Sequence, residues 1–382
     1  MHDAAGEGRV FGQLLACLRP ADGERPWPPD WTPVLERATR LGVAPLLWRG
    51  LKSAGPEIGP VRDALRRAHQ EAAITNLRAL GVLRRVLEAL AAVGVDALPL
   101  KGGYLLEAVY HDVGARFMHD LDVLVRPADE DRAAEAMRGL GFVPDDAAGE
   151  LHPPDHHLPR LRHSDSGVLL ELHRHIVESL SGVRLDAEEL WARSVPVTLA
   201  GTAALALAPE DLLLALCLHL ANQNQFFGGL RPLCDVTAVL GHGAHAMDWP
   251  TVAERATRWG CRRGVYLCLR LAHDTLGASV PESALAGLRP QGFDETLCTD
   301  AITLLRGCHG GSAREAGVLA RLWGQPAGGA GPAVPWARLR RLSMRRAFGV
   351  YLPLALGALL HRGRASHLVR ARARVARWLS AP

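Results

Sequence analysis

Apolar residues recur at three- and four-residue spacing through residues 10–18, 31–51 and 61–93, which predicts a helical N-terminal region closed at Gly94. The period then changes. Residues 95–100 (VDALPL) form a short apolar stretch that runs into Lys101, Gly102 and Gly103 and then into the helical pattern YLLEAVY, so strand, glycine turn and helix follow in that order. Residues 119–125 (HDLDVLV) predict a second strand stopped by Arg126 and Pro127, and residues 128–140 an amphipathic helix with acids in its first turn.

Residues 144–159, rich in Pro, Asp and His, predict a loop. Residues 156–163 and 168–173 (VLLELH) then predict a hairpin around Ser164, Asp165, Ser166 and Gly167, and a second hairpin is expected from VPVTLA and AALALA on either side of Gly201 and Thr202. From Pro209, Glu210 and Asp211, which suit a helix start, the pattern stays helical to about residue 323, with new starts near Asp248 and Pro281. Residues 325–335 (QPAGGAGPAVP) predict a linker. The expected organisation is a helical region over 1–94, an α+β core over 95–208, a helical domain over 209–324, and a linker with an Arg-rich helical tail over 325–382. No internal repeat is present.

With 382 residues, 48% of them hydrophobic, the chain is neither disordered nor a small disulfide-stapled scaffold. Its seven cysteines (17, 217, 234, 261, 268, 298, 308) show no CxxC spacing, which argues against a disulfide framework or a zinc ribbon and fits a reducing cytoplasm. The first ten residues lack signal-peptide features, and no stretch reaches the roughly 20 apolar residues of a membrane span, so a soluble cytoplasmic protein is expected.

A net charge of +4 conceals an asymmetry: the last acid is Glu315, and twelve arginines follow it from Arg321 to Arg377. The tail also holds a 14-residue apolar run, 347–360, too short to span a bilayer. It reads as a packed helix or an interfacial segment, and the basic remainder as a solvated helix able to meet an anionic partner or a membrane surface. On that reading the tail is removable without loss of the rest. Arginine without interleaved aromatics is weak evidence for nucleic acid. Only Lys52 and Lys101 are lysine among 44 basic residues. A lysine here hints that an ammonium is specifically wanted, although a GC-rich coding sequence would cause the same shortage.

Residues two apart on a strand share a face, so Asp120 and Asp122 stand side by side while Leu121, Val123 and Val125 face the core. By the same rule Leu169, Glu171 and His173 share a face, which offers a third carboxylate. Three such groups repel one another unless cations sit among them, and hard oxygen donors in that number suit one or two Mg²⁺ ions, or Mn²⁺ in their place. Removing either aspartate charge is expected to relieve repulsion in the metal-free protein. Two such ions clamp an in-line displacement at phosphorus. Upstream, the turn at Lys101, Gly102 and Gly103 opens a helix whose first amides can hold a phosphate, with an ammonium beside them.

His152, His156, His157, His163, His173 and His175 crowd one region without the spacing of a zinc site, and read as loop residues that either back an acidic metal-binding pocket or are simply exposed. His173 is the exception, because it shares Glu171's face; it reads equally as a residue near the phosphates or as plain packing. His219, on the apolar pattern LLLALCLHLA, reads as a hydrogen-bonded core histidine with Asp235 as its candidate partner.

The order of these elements resembles the DNA polymerase β-like nucleotidyltransferase superfamily. The runs PLKGGYLLEAVY, GARFMHDLDVLV, LLELH, APEDLLLALCLHLA and LRPLCDVTAVL, over about residues 75–285, look like the bacterial family labelled uncharacterised nucleotidyltransferases. The resemblance implies an α+β fold, with a small mixed β-sheet nucleotidyltransferase core between N-terminal helices and a C-terminal helical domain. It implies Mg²⁺-dependent transfer of a nucleotidyl group from a nucleoside triphosphate such as ATP to an unidentified acceptor: RNA, a peptide or protein, or a small molecule. Lys101, Gly102 and Gly103 would be the phosphate-binding turn, Asp120 and Asp122 the metal ligands, and Glu171 the third acid. Arg116 and His173 would lie beside the nucleotide, and His219 and Asp235 in the acceptor pocket. The Gly-Ser usual in the wider superfamily is Gly102-Gly103 here, so no side-chain hydroxyl is on offer. The alternative is a nucleotide-binding or scaffold module without turnover, its basic tail docking an RNA, a membrane or a peptide; three retained, mutually repelling acids argue against it.

Overall fold

The computed structural model describes residues 4–20, 27–145, 156–177, 182–227, 229–243, 247–307 and 364–380. His152, Cys308, the linker at 325–335, the apolar run at 347–360 and the helical pattern of 308–323 lie outside the described residues. The N-terminal helices are α1 (Ala4–Leu18), α2 (Thr32–Arg40), α3 (Ala44–Leu51) and the 31-residue α4 (Arg62–Ala92). Leu65, Ala72, Asn76, Ala79, Leu80, Leu83, Leu87 and Leu90 line one buried stripe of α4, and Gly94 closes the turn after it at φ +67°, a conformation glycine adopts without steric cost.

A five-stranded mixed sheet follows, built from β1 (Leu98–Pro99), β2 (Asp120–Leu124), β3 (Phe142–Pro144), β4 (Leu161–His163) and β5 (Leu169–His173) in the order β1-β2-β5-β4-β3. Helices α5 (Lys101–Ala108) and α6 (Glu130–Gly139) connect β1 to β2 and β2 to β3. Only β2 and β5 run parallel, with Asp122 opposite Glu171 and Leu124 opposite His173. The expected 156–163 strand is shorter, reduced to β4 plus a single bridge between His157 and His173. β3, which overlaps the expected loop only at Pro144, is an edge strand; the Asp145 carboxylate just past it is buried between Arg160 and Arg162.

After α7 (Ala187–Arg193), β6 (Val195–Leu199) and β7 (Thr202–Ala206) form the second hairpin, tied to β1 by the Leu205 amide on the Ala97 carbonyl at 3.1 Å. The helical half comprises α8 (Pro209–Leu218), α9 (Arg231–Gly243), α10 (Trp249–Arg258), α11 (Arg262–Leu276), α12 (Glu282–Leu288) and α13 (Thr296–Gly307). Pro209 does open α8, and the Asp248 side chain caps α10 by accepting from the Thr251 amide.

Two cores result. One packs Leu83 and Val86 of α4 against Leu121, Val123, Leu170 and Leu172 of the sheet; the other joins α1–α3 to the helical half. Leu124 of β2 belongs to the second core, so both faces of β2 are covered and Asp122 is as buried as its apolar neighbours. The six described cysteines are free thiols. Among the described residues no helix is long and apolar enough to cross a membrane.

The end of the tail, read as a solvated helix, is a packed one. Ala371 and Val375 of α14 (Arg364–Ser380) enter the second core, the Trp378 ring meets Phe293 edge-on at 5.5 Å, and Arg374 pairs with the buried Asp300. Removing the tail would therefore cut into that core. Arg374→Ala leaves a buried carboxylate with its main counter-charge gone; it should lower stability by about 1–3 kcal/mol, read as a drop in denaturant midpoint that Arg374→Lys partly restores.

Candidate active site

The sequence offers an apolar strand with acids two apart and a second strand with an acid and a histidine two apart, and parallel pairing brings three of the four together: Asp122, Glu171 and His173. Asp122 Oδ1 accepts from Lys101 Nζ and from His173 Nε2, each at 2.8 Å. His173 Nε2 stands 3.5 Å from Glu171 Oε2, and His157 Nε2 3.8 Å from the same oxygen. Ligand atoms of Asp122, Glu171 and His173 lie within 4.8 Å of one another, a group that can hold a metal ion. Asp120, opposite Leu169, stands partly exposed at the end of β2 outside that group.

The charges are not shared evenly. Burial alone would raise the Asp122 pKa, but Lys101 and His173 hold it well below the usual carboxylate range. Asp120 carries the strain instead: burial, then the charge of Asp122, push it up to about 6. Burial works against the Lys101 ammonium and the His173 imidazolium, yet Asp122 raises both, with Glu171 also supporting His173. The Glu171 pKa is lowered, since the His173 hydrogen bond and neighbouring charge outweigh burial. The expected mutual repulsion of the two aspartates thus falls on Asp120 alone.

Lys101 opens α5 at φ +43°, in the left-handed region that costs a non-glycine residue about 1 kcal/mol. The Leu100 amide on the Asp122 carbonyl, 2.8 Å, locks this turn to β2, and the Gly103 amide returns to the Leu100 carbonyl at 3.1 Å. Both glycines are buried. A Cβ on Gly102 would stand 2.6 Å from Arg116 Nη1 and 2.8 Å from Met118 Cγ, whereas one on Gly103 meets its nearest neighbour, Leu83 Cδ2, at 3.4 Å. Gly102→Ala should therefore destabilise by about 1–3 kcal/mol and Gly103→Ala by less than about 1 kcal/mol, which thermal melts of the two variants compare directly.

Beyond Gly102 lies a second charged group. Arg116 Nε is 3.1 Å from Asp235 Oδ1, which also accepts from the Tyr110 hydroxyl at 2.8 Å; Arg116 Nη1 is buried without a hydrogen-bond partner among the described residues. Arg231 donates to the Phe117 carbonyl at 3.1 Å, and its charge reaches both Asp120 and Asp235. Asn76 of α4 pins the intervening loop by donating to the Val113 and Arg116 carbonyls and accepting from the Met118 amide. Neither Arg231 nor Asn76 stood out in the sequence, although Arg231 lies inside the LRPLCD run.

His219 does not pair with Asp235. It begins a π-helical turn, His219–Gln223, where its ring bonds to Gln223 Oε1 at 2.7 Å and Asn224 Nδ2 at 3.2 Å, and burial with the nearby Lys101 charge keeps it neutral, its pKa pushed down to about 3. With Lys101, Tyr104, His173 and Gln223 it lines a pocket of ≈ 30 Å³. That is room for about two water molecules. Of the two readings for His156 and His157, the structure takes the one beside the acidic pocket: both are buried, their rings 5.5 Å and 5.2 Å from that of His173.

A small mixed sheet that sets acids on adjacent parallel strands, behind a helix opened by a glycine turn, defines a nucleotidyltransferase core. The profile of the uncharacterised nucleotidyltransferase family matches residues 28–277, about two-thirds of the chain, and the protein belongs to that family. No curated protein matches it. A solved structure, that of JHP933 from Helicobacter pylori, aligns at 13% identity over 66% of this chain and 97% of that one, with a TM-score of 0.28, too loose a superposition to carry an argument.

Proposed function

We propose that this protein transfers a nucleotidyl group from a nucleoside triphosphate to a hydroxyl or phosphate of an acceptor. The observation that carries the reading is the juxtaposition of Asp122, Glu171 and His173 across β2 and β5, directly behind the Lys101 end of α5. Asp122 and Glu171, with Asp120 at the rim, would hold the divalent ion, Mg²⁺ or a substitute; when bound it supplies charge for the α-phosphate and the departing pyrophosphate. The Lys101 ammonium and the first amides of α5 bind the triphosphate. Arg231 adds positive charge on the Asp120 side, and Arg116, with its buried Nη1 lacking an acceptor among the described residues, stands beside it. Glu171, partly exposed and ionised, orients the attacking oxygen or takes its proton. Neutral His219, both of its ring nitrogens held by Gln223 and Asn224, forms a wall of the small pocket that leaves the local charge unchanged.

The test is incubation with each α-labelled nucleoside triphosphate, a divalent ion and host extract. Label should move to an acceptor with the wild-type protein and stay in the triphosphate with Asp122→Asn. Equal labelling by both proteins, or none by either, sinks the reading.

A further inference from the structure

An open cleft of ≈ 940 Å³ lies away from the acids, between the end of α3, α4, the C-terminal end of α5 and the β6–β7 hairpin. Lys101 and Glu107 are six residues apart on α5, so the cleft and the glycine turn stand about 9 Å apart along that helix. Tyr110, His111 and Asp112, in the loop after α5, line the cleft. The same loop goes on to Arg116 beside Gly102 and to Asp120 at the start of β2, so the cleft opens along an approach to the acids.

The ionisable groups of the cleft are arranged unevenly. Its carboxylates are committed to protein partners: Glu107 Oε2 accepts the Ala200 amide at 2.6 Å, and Asp112 Oδ1 accepts from the Gly114 amide at 2.9 Å and from His69 Nε2 at 2.8 Å. Its fixed cations are not. Arg49 gives Nη2 to the Tyr110 carbonyl at 3.2 Å and lies over the Tyr110 ring, with no carboxylate in reach among the described residues. Lys52, the second of the two lysines in the chain, has no partner for its ammonium among the described residues. Both side chains are exposed.

Two imidazole rings complete the lining, and each is held in place. A Cβ on Gly114 would stand 2.5 Å from His69 Nε2, so glycine there admits the ring that Asp112 anchors. His111 is exposed at φ +49°, a strained backbone for a non-glycine residue, of the kind that collects at ligand contacts. Unpaired cations that track phosphates, interleaved with flat rings on which bases stack, are the means by which single strands of nucleic acid are held.

We propose that this cleft binds a single-stranded polynucleotide, with its phosphates on Arg49 and Lys52 and its bases against His69 and His111, and that this strand is the acceptor. The inference rests on the nucleotidyl-transfer reading and names its acceptor. The terminal hydroxyl oxygen of the strand bonds to the α-phosphorus, the bond from that phosphorus to pyrophosphate breaks, and the hydroxyl proton passes to Glu171.

The full chain, without triphosphate or divalent ion, is titrated into a fluorescent single strand of about ten nucleotides, RNA in one arm and DNA of the same sequence in the other. Anisotropy reads binding at several salt concentrations, and the tighter arm identifies the strand. Lys52→Gln and Arg49→Gln should each weaken binding about three- to tenfold and lower the slope of log affinity against log salt by about 0.7. His111→Ala should weaken it about fivefold without changing that slope. Arg258→Gln, at an exposed ion pair of α10 outside the cleft, should do neither. Absence of binding in both arms, or cleft variants that bind like the wild-type protein, would overturn the proposal. So would displacement of the strand by polyglutamate of equal charge as readily as by unlabelled strand, which would give the cleft to an acidic peptide. Strand binding by a protein that labels nothing would defeat the transferase reading, whereas label moving only to some other acceptor would defeat this inference and spare that reading.

Discussion

Asp120→Asn and Asp122→Asn should each reduce nucleotidyl transfer by a factor on the order of a thousand or more, yet shift stability in opposite directions. Asp120 has its pKa raised to about 6 by burial and the charge of Asp122. Between the ordinary carboxylate value and 6 the folded protein therefore binds more protons than the unfolded chain, and stability falls as pH rises through that window. At pH 7 the whole penalty is present, and Asp120→Asn removes about 1–3 kcal/mol of it. Asp122 runs the other way. Its folded pKa is depressed by Lys101 and His173, so its contribution is present above the ordinary carboxylate value and is lost only as pH falls below it. Asp122→Asn takes from the half-buried Lys101 ammonium and from His173 the carboxylate both bond to, leaving Glu171 as the nearby acid for His173, at a cost of about 2–4 kcal/mol. Thermal melts of both variants at pH 7 and pH 4.5, without metal, check the sign: the Asp120→Asn gain should shrink at the lower pH. A gain for both would mean that Lys101 does not neutralise Asp122.

That contrast marks the limit of what the sequence disclosed. Alternation along HDLDVLV identified β2 and its two acids, and the same rule placed Glu171 and His173 on one face of β5, because period-two geometry is local. What alternation cannot supply is the cover on the second face. Leu124 packs into the helical half, so Asp122 is buried and its charge is set by Lys101, 21 residues away in sequence. For His157 the sequence leaves two readings, backing the acidic site or lying exposed, because a polar, proline-rich segment carries no burial pattern; its bridge to His173 draws it inward. The π-turn at His219 left no periodic signature, since one extra residue in an apolar helix barely disturbs the pattern. The tail helix was read from its arginines, whereas Ala371 and Val375, small and unobtrusive, decide where it goes.

Lys101→Met should lower affinity for a nucleoside triphosphate by more than tenfold and, in the same protein, raise affinity for a divalent ion. The first effect follows from losing one charge-assisted contact, worth about 1.5–3 kcal/mol, where the amides opening α5 already favour an anion. The second follows from the geometry: Lys101 Nζ sits on Asp122 Oδ1 at 2.8 Å, so the ammonium occupies an oxygen that an incoming ion would use. Methionine matches the length of lysine and removes the competitor. Without metal the variant should also lose about 2–4 kcal/mol of stability, since Asp122 keeps only His173 as a partner. Lys101→Arg should restore nucleotide binding only in part, because a planar guanidinium is a poor substitute for a compact ammonium in a tight turn held at φ +43°. Calorimetric titration of a non-hydrolysable triphosphate, and separately of Mn²⁺, into the three proteins measures both quantities. A purely structural lysine would leave nucleotide affinity unchanged while stability fell. A nucleotide-binding lysine that also holds the metal position moves the two affinities in opposite directions.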